Sequence, residues 1–465
     1  MKQLSVDFSH LLQSNWLGAN GVYHGFSYQP DKEGRVCTEE QLQIEFDRVG
    51  AMELSIVRSF YHPSYAWEKG RWDWESPPME GFYHWLGEMK KRNIQVALQA
   101  AWWCPKDVFD PDSPFSPEGT GWLEAVAGYA RWISRSLQEI WKRNYENVRY
   151  LVLFTEPCNV PNVRIEGRNQ WECWADCARA VDAQLKKDNL RDRILLVGPN
   201  EGSTDCSPML EWAVGQVNDC LDIYSSHNYA QNWIQNRDTY EEWVLWMTRG
   251  MEKVKKTAKP YWFDEYGLVN WNQAESHHPE ELRWTSGLYG LQLAIANAAA
   301  LNCGVQSTVL WTLFDQQWPN SHNSGRDAFQ DGIHKWGIAP TPRESLIPYP
   351  CYYAFSLLSR YLGGPGTQVF STQSQKGLYC AAVKTEKGKY AFLIVHYGSN
   401  PIEFQLSLSS SLSRPLYRHL FQSDAVFPDE RAAILKSDRT WPKIDGILED
   451  TLPPFSFAVY TTRQD

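Results

Sequence analysis

Residues 150–156 read YLVLFTE, and residues 261–267 read YWFDEYG. Each begins with a short apolar run, typical of a buried β-strand, and that run is followed by a glutamate, Glu156 or Glu265. Six further apolar runs alternate with longer amphipathic segments. Eight strands are therefore predicted, at residues 16–23, 54–60, 94–101, 150–154, 194–198, 222–226, 261–263 and 307–313.

The segments between these strands carry apolar residues at intervals of three and four, the period of an amphipathic helix. Helices are predicted at residues 39–50, 80–92, 119–143, 170–189, 207–216, 239–256, 280–301 and 349–362. Eight strands that are each followed by a helix predict a closed parallel (β/α)8 barrel of the α/β class, the TIM barrel. A doubly wound sheet also alternates, but it usually has a Gly-rich turn after its first strand, and residues 18–21 do not continue into that pattern.

The pattern changes after residues 363–366, which read GGPG. Short strands separated by turn residues are predicted at 377–385, 389–397, 402–408 and 455–461, as in a small antiparallel β-sandwich. We therefore predict a catalytic barrel at residues 1–364 and a C-terminal β-sandwich accessory domain at 365–465. The aromatic residues of this domain either form its core or bind carbohydrate, and we favour a structural module.

Composition excludes several classes of protein. The 465-residue chain has a net charge of -10 and no long basic run, which argues against a nucleic-acid partner. No stretch approaches the ~20 apolar residues of a membrane span. The first residues do not resemble a signal peptide, so we expect a cytoplasmic location, or secretion if a leader peptide has been removed. The ten cysteines are expected to be thiols.

Aromatic residues make up 14% of the chain, and 23 of them are Trp. Trp is costly to bury without a partner for its N–H group. So many Trp residues suggest platforms for the flat apolar faces of sugar rings, although large barrels also bury many aromatic side chains.

Active sites of such barrels lie at the carboxyl ends of the strands. Glu156 follows the fourth predicted strand, and Glu265 follows the seventh. Alone, each would be an ordinary loop carboxylate. Two carboxyl groups facing each other across a barrel mouth are what cleavage of a glycosidic bond requires, one to protonate the leaving oxygen and one to attack or to activate water. The spacings typical of metal sites are missing, so neither a metal nor a cofactor is expected.

This layout resembles clan A of the glycoside hydrolases, the group that includes cellulases, mannanases and β-galactosidases. The resemblance covers about 350 residues. In that clan the acid/base Glu follows strand 4 and the nucleophile follows strand 7. Glu156 in Thr155-Glu156-Pro157 matches the first, and Glu265 in Asp264-Glu265-Tyr266 matches the second.

Four further residues match the clan's pattern. Arg58, near the end of the second predicted strand, corresponds to the Arg that in the clan keeps the nucleophile ionised. His227 and Tyr229 follow the sixth strand, and the resemblance makes Tyr229 a hydrogen-bond partner of Glu265. Trp311, at the eighth strand, corresponds to the Trp that floors the subsite of the cleaved sugar.

Thr155 departs from the pattern, because the clan has Asn before the acid/base Glu, where it contacts the sugar 2-hydroxyl. Either the sugar is modified or differently oriented at position 2, or another residue supplies the contact, for which Asn159 is a candidate. Further candidates lie at the predicted strand ends, with Asp264 as a supporting acceptor; they are Asn20, His24, Trp102, Trp103, Asn200, Glu201, Asp315, Gln316 and Trp318.

The resemblance implies a retaining glycoside hydrolase that cleaves β-linked oligosaccharides or glycosides through a covalent glycosyl-enzyme. Carbohydrate is the expected partner. Exo-action is expected, and endo-action on a polysaccharide is the alternative. Two readings from other classes stay open: a barrel that binds sugar without cleaving it, and a metal-dependent barrel isomerase.

Overall fold

The computed structural model describes residues 1–23, 37–68, 71–100, 105–109, 113–115, 121–159, 164–202, 208–230, 238–267, 286–317, 333–334, 336–342, 345–428 and 433–464. Eight helices lie close to the predicted segments: α1 (Glu39–Met52), α2 (Pro77–Lys91), α3 (Trp122–Lys142), α4 (Gln170–Lys187), α5 (Pro208–Gln216), α6 (Tyr240–Val254), α7 (Gly287–Cys303) and α8 (Pro350–Tyr361). None of these described helices is both long and apolar enough to cross a membrane.

Local side-chain contacts fix where several helices begin. At the start of α1 the Thr38 hydroxyl accepts a hydrogen bond from the Gln41 amide, and the Gln41 side chain accepts one from the Thr38 amide. Asn169 and Glu172 form the same reciprocal pair at the start of α4. Each pair satisfies two backbone donors that a helix leaves without an internal partner.

The described strands are, in chain order, β1 (Lys2–Trp16), β2 (Ala19–Val22), β3 (Ile56–Tyr61), β4 (Trp67–Glu68), β5 (Arg71–Trp72), β6 (Gln95–Ala100), β7 (Val148–Leu153), β8 (Arg164–Ile165), β9 (Arg168–Asn169), β10 (Leu195–Glu201), β11 (Ile223–Tyr229), β12 (Tyr261–Gly267), β13 (Ser307–Leu310), β14 (Gln316–Gln317), β15 (Ile333–His334), β16 (Thr367–Gln373), β17 (Leu378–Lys384), β18 (Tyr390–His396), β19 (Ile402–Leu408), β20 (Leu416–Gln422), β21 (Arg439–Trp441), β22 (Ile447–Leu452) and β23 (Ser456–Thr461).

Eight of these strands close into a barrel, in the order β2-β3-β6-β7-β10-β11-β12-β13 and back to β2. They are the eight strands that the sequence predicts, and the registers described between them are parallel. The predicted (β/α)8 barrel is therefore confirmed. Since parallel strands run the same way, the residues that follow them gather at one end of the barrel.

The chain divides into two compact units, one of residues 1–55, 229–248 and 266–465, the other of residues 56–228 and 249–265. The first unit contains a nine-stranded sheet in the order β21-β20-β23-β18-β17-β16-β1-β19-β22. This sheet confirms the predicted sandwich domain but is mixed, because β1 pairs antiparallel with β16 and parallel with β19.

Strand β1 was not predicted, and it adds an N-terminal strand to the sheet that was assigned to C-terminal residues alone. Leu4 and Val6 of β1 are buried in the same apolar cluster as Phe392, Ile394 and Phe404 of the C-terminal strands. The core of this sheet therefore draws on both ends of the chain, whereas the predicted division assigned residues 1–364 to the barrel alone.

Candidate active site

Glu156 lies at a sharp turn after β7. Phe154 and Glu156 both have positive φ angles, of 64° and 46°. Residues other than glycine rarely adopt a positive φ angle, and this backbone conformation costs on the order of 1–3 kcal/mol at each residue. The Glu156 amide donates a 3.1 Å hydrogen bond to the carbonyl of Asn200, and a short 3-10 turn follows at Pro157–Asn159. Glu156 is only 7% exposed.

Glu265 lies on β12 and is 4% exposed. Its Oε2 forms an ion pair with the guanidinium of Arg58 on β3, which is itself 1% exposed. The same guanidinium donates a 2.8 Å hydrogen bond to the carbonyl of Asp264. Because both groups are removed from water, the pair holds its geometry more firmly than a surface ion pair would. The structure thus brings Arg58 to Glu265 as predicted.

His227 on β11 links the two glutamates. Its Nδ1 lies 3.0 Å from Oε1 of Glu156 and 3.5 Å from Oε1 of Glu265, while its Nε2 lies 3.4 Å from Nη1 of Arg58. Burial, and then the charge of Arg58, lower the pKa of His227 well below its usual value, so the ring is neutral. Nη1 of Arg58 can only donate, which favours the tautomer in which Nε2 accepts and Nδ1 carries the proton toward Glu156; Oδ1 of Asp264 also lies 3.5 Å from Nε2.

The two carboxyl groups are close together. One oxygen of Glu156, one oxygen of Glu265 and one His227 nitrogen all lie within 4.8 Å of one another. Retaining glycosidases hold their two carboxyl groups about 5–5.5 Å apart, whereas inverting enzymes need about 6.5–9.5 Å to admit a water molecule. The spacing therefore suits direct attack on a sugar carbon.

Three such groups are also close enough to offer ligands to a metal ion. A metal needs the free lone pair of an imidazole nitrogen. The nitrogen of His227 that faces both glutamates is Nδ1, and the contact of Arg58 with Nε2 favours a proton on Nδ1. The cation of Arg58 beside Glu265 also opposes a second positive charge. These residues therefore fit paired carboxyl chemistry better than metal binding.

A hydrogen-bonded network of buried side chains lies beside the pair. Nε2 of Gln99, on β6, donates to the hydroxyl of Thr155 and to the carbonyl of Phe154 at 2.7 Å, and it lies 3.1 Å from Oδ1 of Asn200. Nδ2 of Asn200 in turn donates to Oδ2 of Asp264 at 2.6 Å. The hydroxyl of Thr155 is therefore already bound by a protein side chain.

Burial raises the pKa of Asp264 to about 7, although Arg58 and the hydrogen bonds from Asn200 and Ser225 lower it. The predicted supporting role of Asp264 accords with this network.

Gln99 was not predicted. The available signal was an amide side chain at position 99 among the apolar residues 96–100, because a buried polar side chain needs a partner.

Tyr229 and Trp311 are both buried at strand ends. A Cβ on Gly267, two residues after Glu265, would lie 3.3 Å from the Tyr229 ring, so that ring packs directly on the Gly267 backbone. Trp311 precedes a cis peptide bond to Thr312, and its ring centroid lies 6.0 Å from that of Trp336. A hydrogen bond from Tyr229 to Glu265 and a sugar on Trp311 stay predictions.

Asn20 does not lie at the end of the barrel where it was predicted. Its Nδ2 donates to the carbonyls of Leu17 and Gly18 and to the hydroxyl of Ser307, and its Oδ1 accepts from the Ser55 amide. These partners all precede or begin strands β2, β3 and β13. Asn20 therefore joins strand starts, at the end of the barrel opposite the strand ends.

Glu201 is fully buried at the end of β10. Its carboxylate accepts from the amides of Met209 and Leu210 at 3.1 and 2.7 Å, so it caps the first turn of α5. The predicted contact with sugar is replaced by this structural role. A register shift in β10 between Pro199 and Glu201 changes which way the strand's last side chains point.

Several predicted residues lie outside the described residues: His24, Trp102, Trp103 and Trp318. Asn159 is described only as part of a 3-10 turn. Asp315 is buried and accepts from the Tyr349 hydroxyl at 2.6 Å and from the Gly337 amide at 2.8 Å. Among the residues that the structure describes, six Trp are less than 2% exposed and belong to the core rather than to sugar platforms: Trp16, Trp85, Trp122, Trp174, Trp243 and Trp262.

Solved structures share this fold over nearly the whole chain. Xylanase C of glycoside hydrolase family 30 from Talaromyces cellulolyticus aligns with a TM-score of 0.67 at 12% identity. An α-L-arabinofuranosidase from Thermotoga maritima gives 0.65 at 15%, and a family 39 β-xylosidase from Caulobacter crescentus gives 0.64 at 12%. In each case 99% of both chains is covered.

No family model and no curated protein matches the sequence. At these identities the likeness establishes the fold, and the predicted resemblance to the clan A barrel is confirmed at that level. The chain thus has the fold of these glycoside hydrolases together with a buried pair of glutamates at its strand ends.

Proposed function

We propose that this protein is a retaining glycoside hydrolase in which Glu156 is the acid/base and Glu265 the nucleophile. The observation that carries the proposal is the spacing of the two carboxyl groups, with one oxygen of each within 4.8 Å of the other. The fold shared with known xylanases, a xylosidase and an arabinofuranosidase supports the same class of reaction.

In the first step Glu156 protonates the glycosidic oxygen while an oxygen of Glu265 bonds to the anomeric carbon. The bond between that carbon and the leaving oxygen breaks, and the aglycone departs as an alcohol. In the second step Glu156, now ionised, takes a proton from water, the water oxygen bonds to the anomeric carbon, and Glu265 is released. Two displacements at the same carbon retain its configuration.

The contacts of each glutamate suit its role. Arg58 pairs with Glu265 and places a positive charge beside the proposed nucleophile. His227 donates to Oε1 of Glu156, so the proton that Glu156 transfers belongs on Oε2. Because His227 is neutral, it orients Glu156 without adding a positive charge that would oppose its protonation.

For the substrate we propose a short β-linked oligosaccharide or glycoside, cleaved from its end. The named activities of the structural neighbours make β-xylosides, glucosides and α-L-arabinofuranosides the first sugars to test. Xylanases are among the neighbours too, so endo-action on a polysaccharide is the competing mode. Single sugars released from an oligosaccharide would support exo-action, and a ladder of fragments from a polysaccharide would contradict it.

The catalytic roles are tested by chemical rescue. Glu156→Ala should lose turnover of nitrophenyl glycosides and regain it in azide, with a glycosyl azide of retained configuration as product. Glu139→Ala removes a partly buried carboxylate of α3 that pairs with Arg143 rather than with the site; it is the matched control and should keep normal turnover without azide. An azide product of inverted configuration would contradict the retaining mechanism, and binding of sugars without turnover by the wild type would favour a non-catalytic barrel.

A further inference from the structure

Oε1 of Glu156 occupies a narrow space between the ends of two other strands. Nδ1 of His227 lies 3.0 Å from it on β11. Against the same carboxyl group lies Gly202, the residue that follows β10. A Cβ built on Gly202 would overlap the carboxyl group of Glu156 and lie 2.7 Å from Cγ of Glu156. Cβ atoms in protein structures essentially never approach another heavy atom so closely. The carboxyl group therefore fills the volume that a side chain at position 202 would take.

Two hydrogen bonds link the segment after β7 to the end of β10, on either side of this contact. The Glu156 amide donates to the Asn200 carbonyl at 3.1 Å, and the Gly202 amide donates to Sγ of Cys158 at 3.2 Å. These two hydrogen bonds run in opposite directions between the segment after β7 and the end of β10. Burial, with a smaller contribution from the Glu201 carboxylate, raises the pKa of Cys158 to about 12, so the sulfur remains a thiol.

These two hydrogen bonds oppose a movement of the two segments away from each other, which would otherwise make room for a side chain at position 202. The Glu156 side chain has rotatable bonds and would move instead. Position 202 also needs no special backbone conformation, since Gly202 is not among the glycines with positive φ. The requirement for glycine here is one of space alone.

We propose that Gly202 is a positioning residue for the acid/base: the missing side chain at this position fixes where Glu156 presents its carboxyl group to the leaving oxygen. The inference rests on the proposed role of Glu156. A substitution that adds only a methyl group should therefore leave the fold in place and displace the proton donor.

The test is Gly202→Ala with substrates that differ in their need for protonation. A displacement of about 1 Å costs on the order of 100-fold in a positioned reaction. For an alkyl glycoside, whose leaving oxygen must be protonated, kcat/KM should fall about 100-fold. For the 2,4-dinitrophenyl glycoside of the same sugar, which departs as an anion, kcat/KM should stay within about threefold. The matched control is Gly215→Ala on α5, where a Cβ meets nothing within 4 Å, and it should leave both values unchanged.

Equal losses on the two substrates, or no loss on either, would overturn the proposal, because a merely structural role does not distinguish leaving groups. A wild-type protein that cleaves neither substrate would instead contradict the proposed function. If Gly202→Ala does not fold, Cys158→Ala removes the sulfur that holds the Gly202 amide and should lower kcat/KM selectively for the alkyl glycoside. Cys158→Ser, which keeps an acceptor, should restore it; equal behaviour of these two variants would also overturn the proposal.

Discussion

Asp264→Asn is expected to change how the stability of this protein depends on pH. Asp264 is 1% exposed, and its carboxyl group faces Arg58, Asn200, His227 and Glu265. Burial raises its pKa from 3.8 to about 7, against the opposing effect of Arg58. Asparagine has nearly the shape of the protonated acid and cannot ionise, so the variant keeps the neutral form at every pH.

The direction follows from proton binding. Between about pH 4 and 7 the folded protein holds a proton on Asp264 that the unfolded chain has released, so rising pH lowers the free energy of unfolding. This loss begins above the unfolded pKa of 3.8 and is complete above the folded pKa of about 7. A pKa difference of about three corresponds to about 4 kcal/mol. Between pH 4 and 7 the free energy of unfolding of the wild type should therefore fall by up to about 4 kcal/mol relative to that of Asp264→Asn.

The assay is urea unfolding of both proteins at about pH 4.5, 6 and 8, with the difference in free energy of unfolding plotted against pH. Asp188→Asn is the control, since hydrogen bonds from Ser134 and Gln184 lower the pKa of Asp188 below 3.8. Asp188 is then ionised in both the folded and the unfolded chain from about pH 4.5 to 8, so its variant should differ from the wild type by a constant free energy of unfolding over this range. Parallel curves for wild type and Asp264→Asn would refute this account of the buried carboxyl group.

Three further substitutions separate catalytic from structural roles. Arg58→Lys keeps the positive charge but removes the planar guanidinium that contacts both Glu265 and the carbonyl of Asp264. In a folded variant kcat/KM should therefore fall at least about 10-fold. Asn20→Ala should lower the free energy of unfolding by about 2–3 kcal/mol, measured in urea, while kcat/KM stays unchanged. Glu201→Gln should cost about 1 kcal/mol by weakening the cap of α5, and an unchanged unfolding curve would contradict that role.

The barrel could be predicted from the sequence because its strands are buried on both faces and read as apolar runs. The amphipathic period of the helices between them is equally local. Strand β1 could not be predicted in this way. Its burial pattern is irregular, and it pairs with residues 367–373 and 402–408, far away in the chain. A pairing of this kind is a tertiary contact that no local pattern encodes.

In the candidate site, too, some residues could be placed from the sequence, whereas the positions of others depend on tertiary contacts. Glu156, His227 and Glu265 could be placed together because each follows a predicted strand, and Arg58 joins them from near the end of another strand. Asn20 and Glu201 also lie near strand ends in the sequence, but strand direction and a register shift turn them into structural positions. The role of Gly202 depends on the path of a neighbouring backbone and has no sequence signature of its own.

The identity of the nucleophile is the central claim, and trapping the covalent intermediate tests it most directly. The wild-type protein would be incubated with an activated 2-deoxy-2-fluoro derivative of whichever glycoside it turns over, and its intact mass and peptides would be measured. The account predicts a mass increase of one fluoroglycosyl group, located on Glu265. A label on any other residue, or an unchanged mass in a protein that still turns over the parent glycoside, would contradict it.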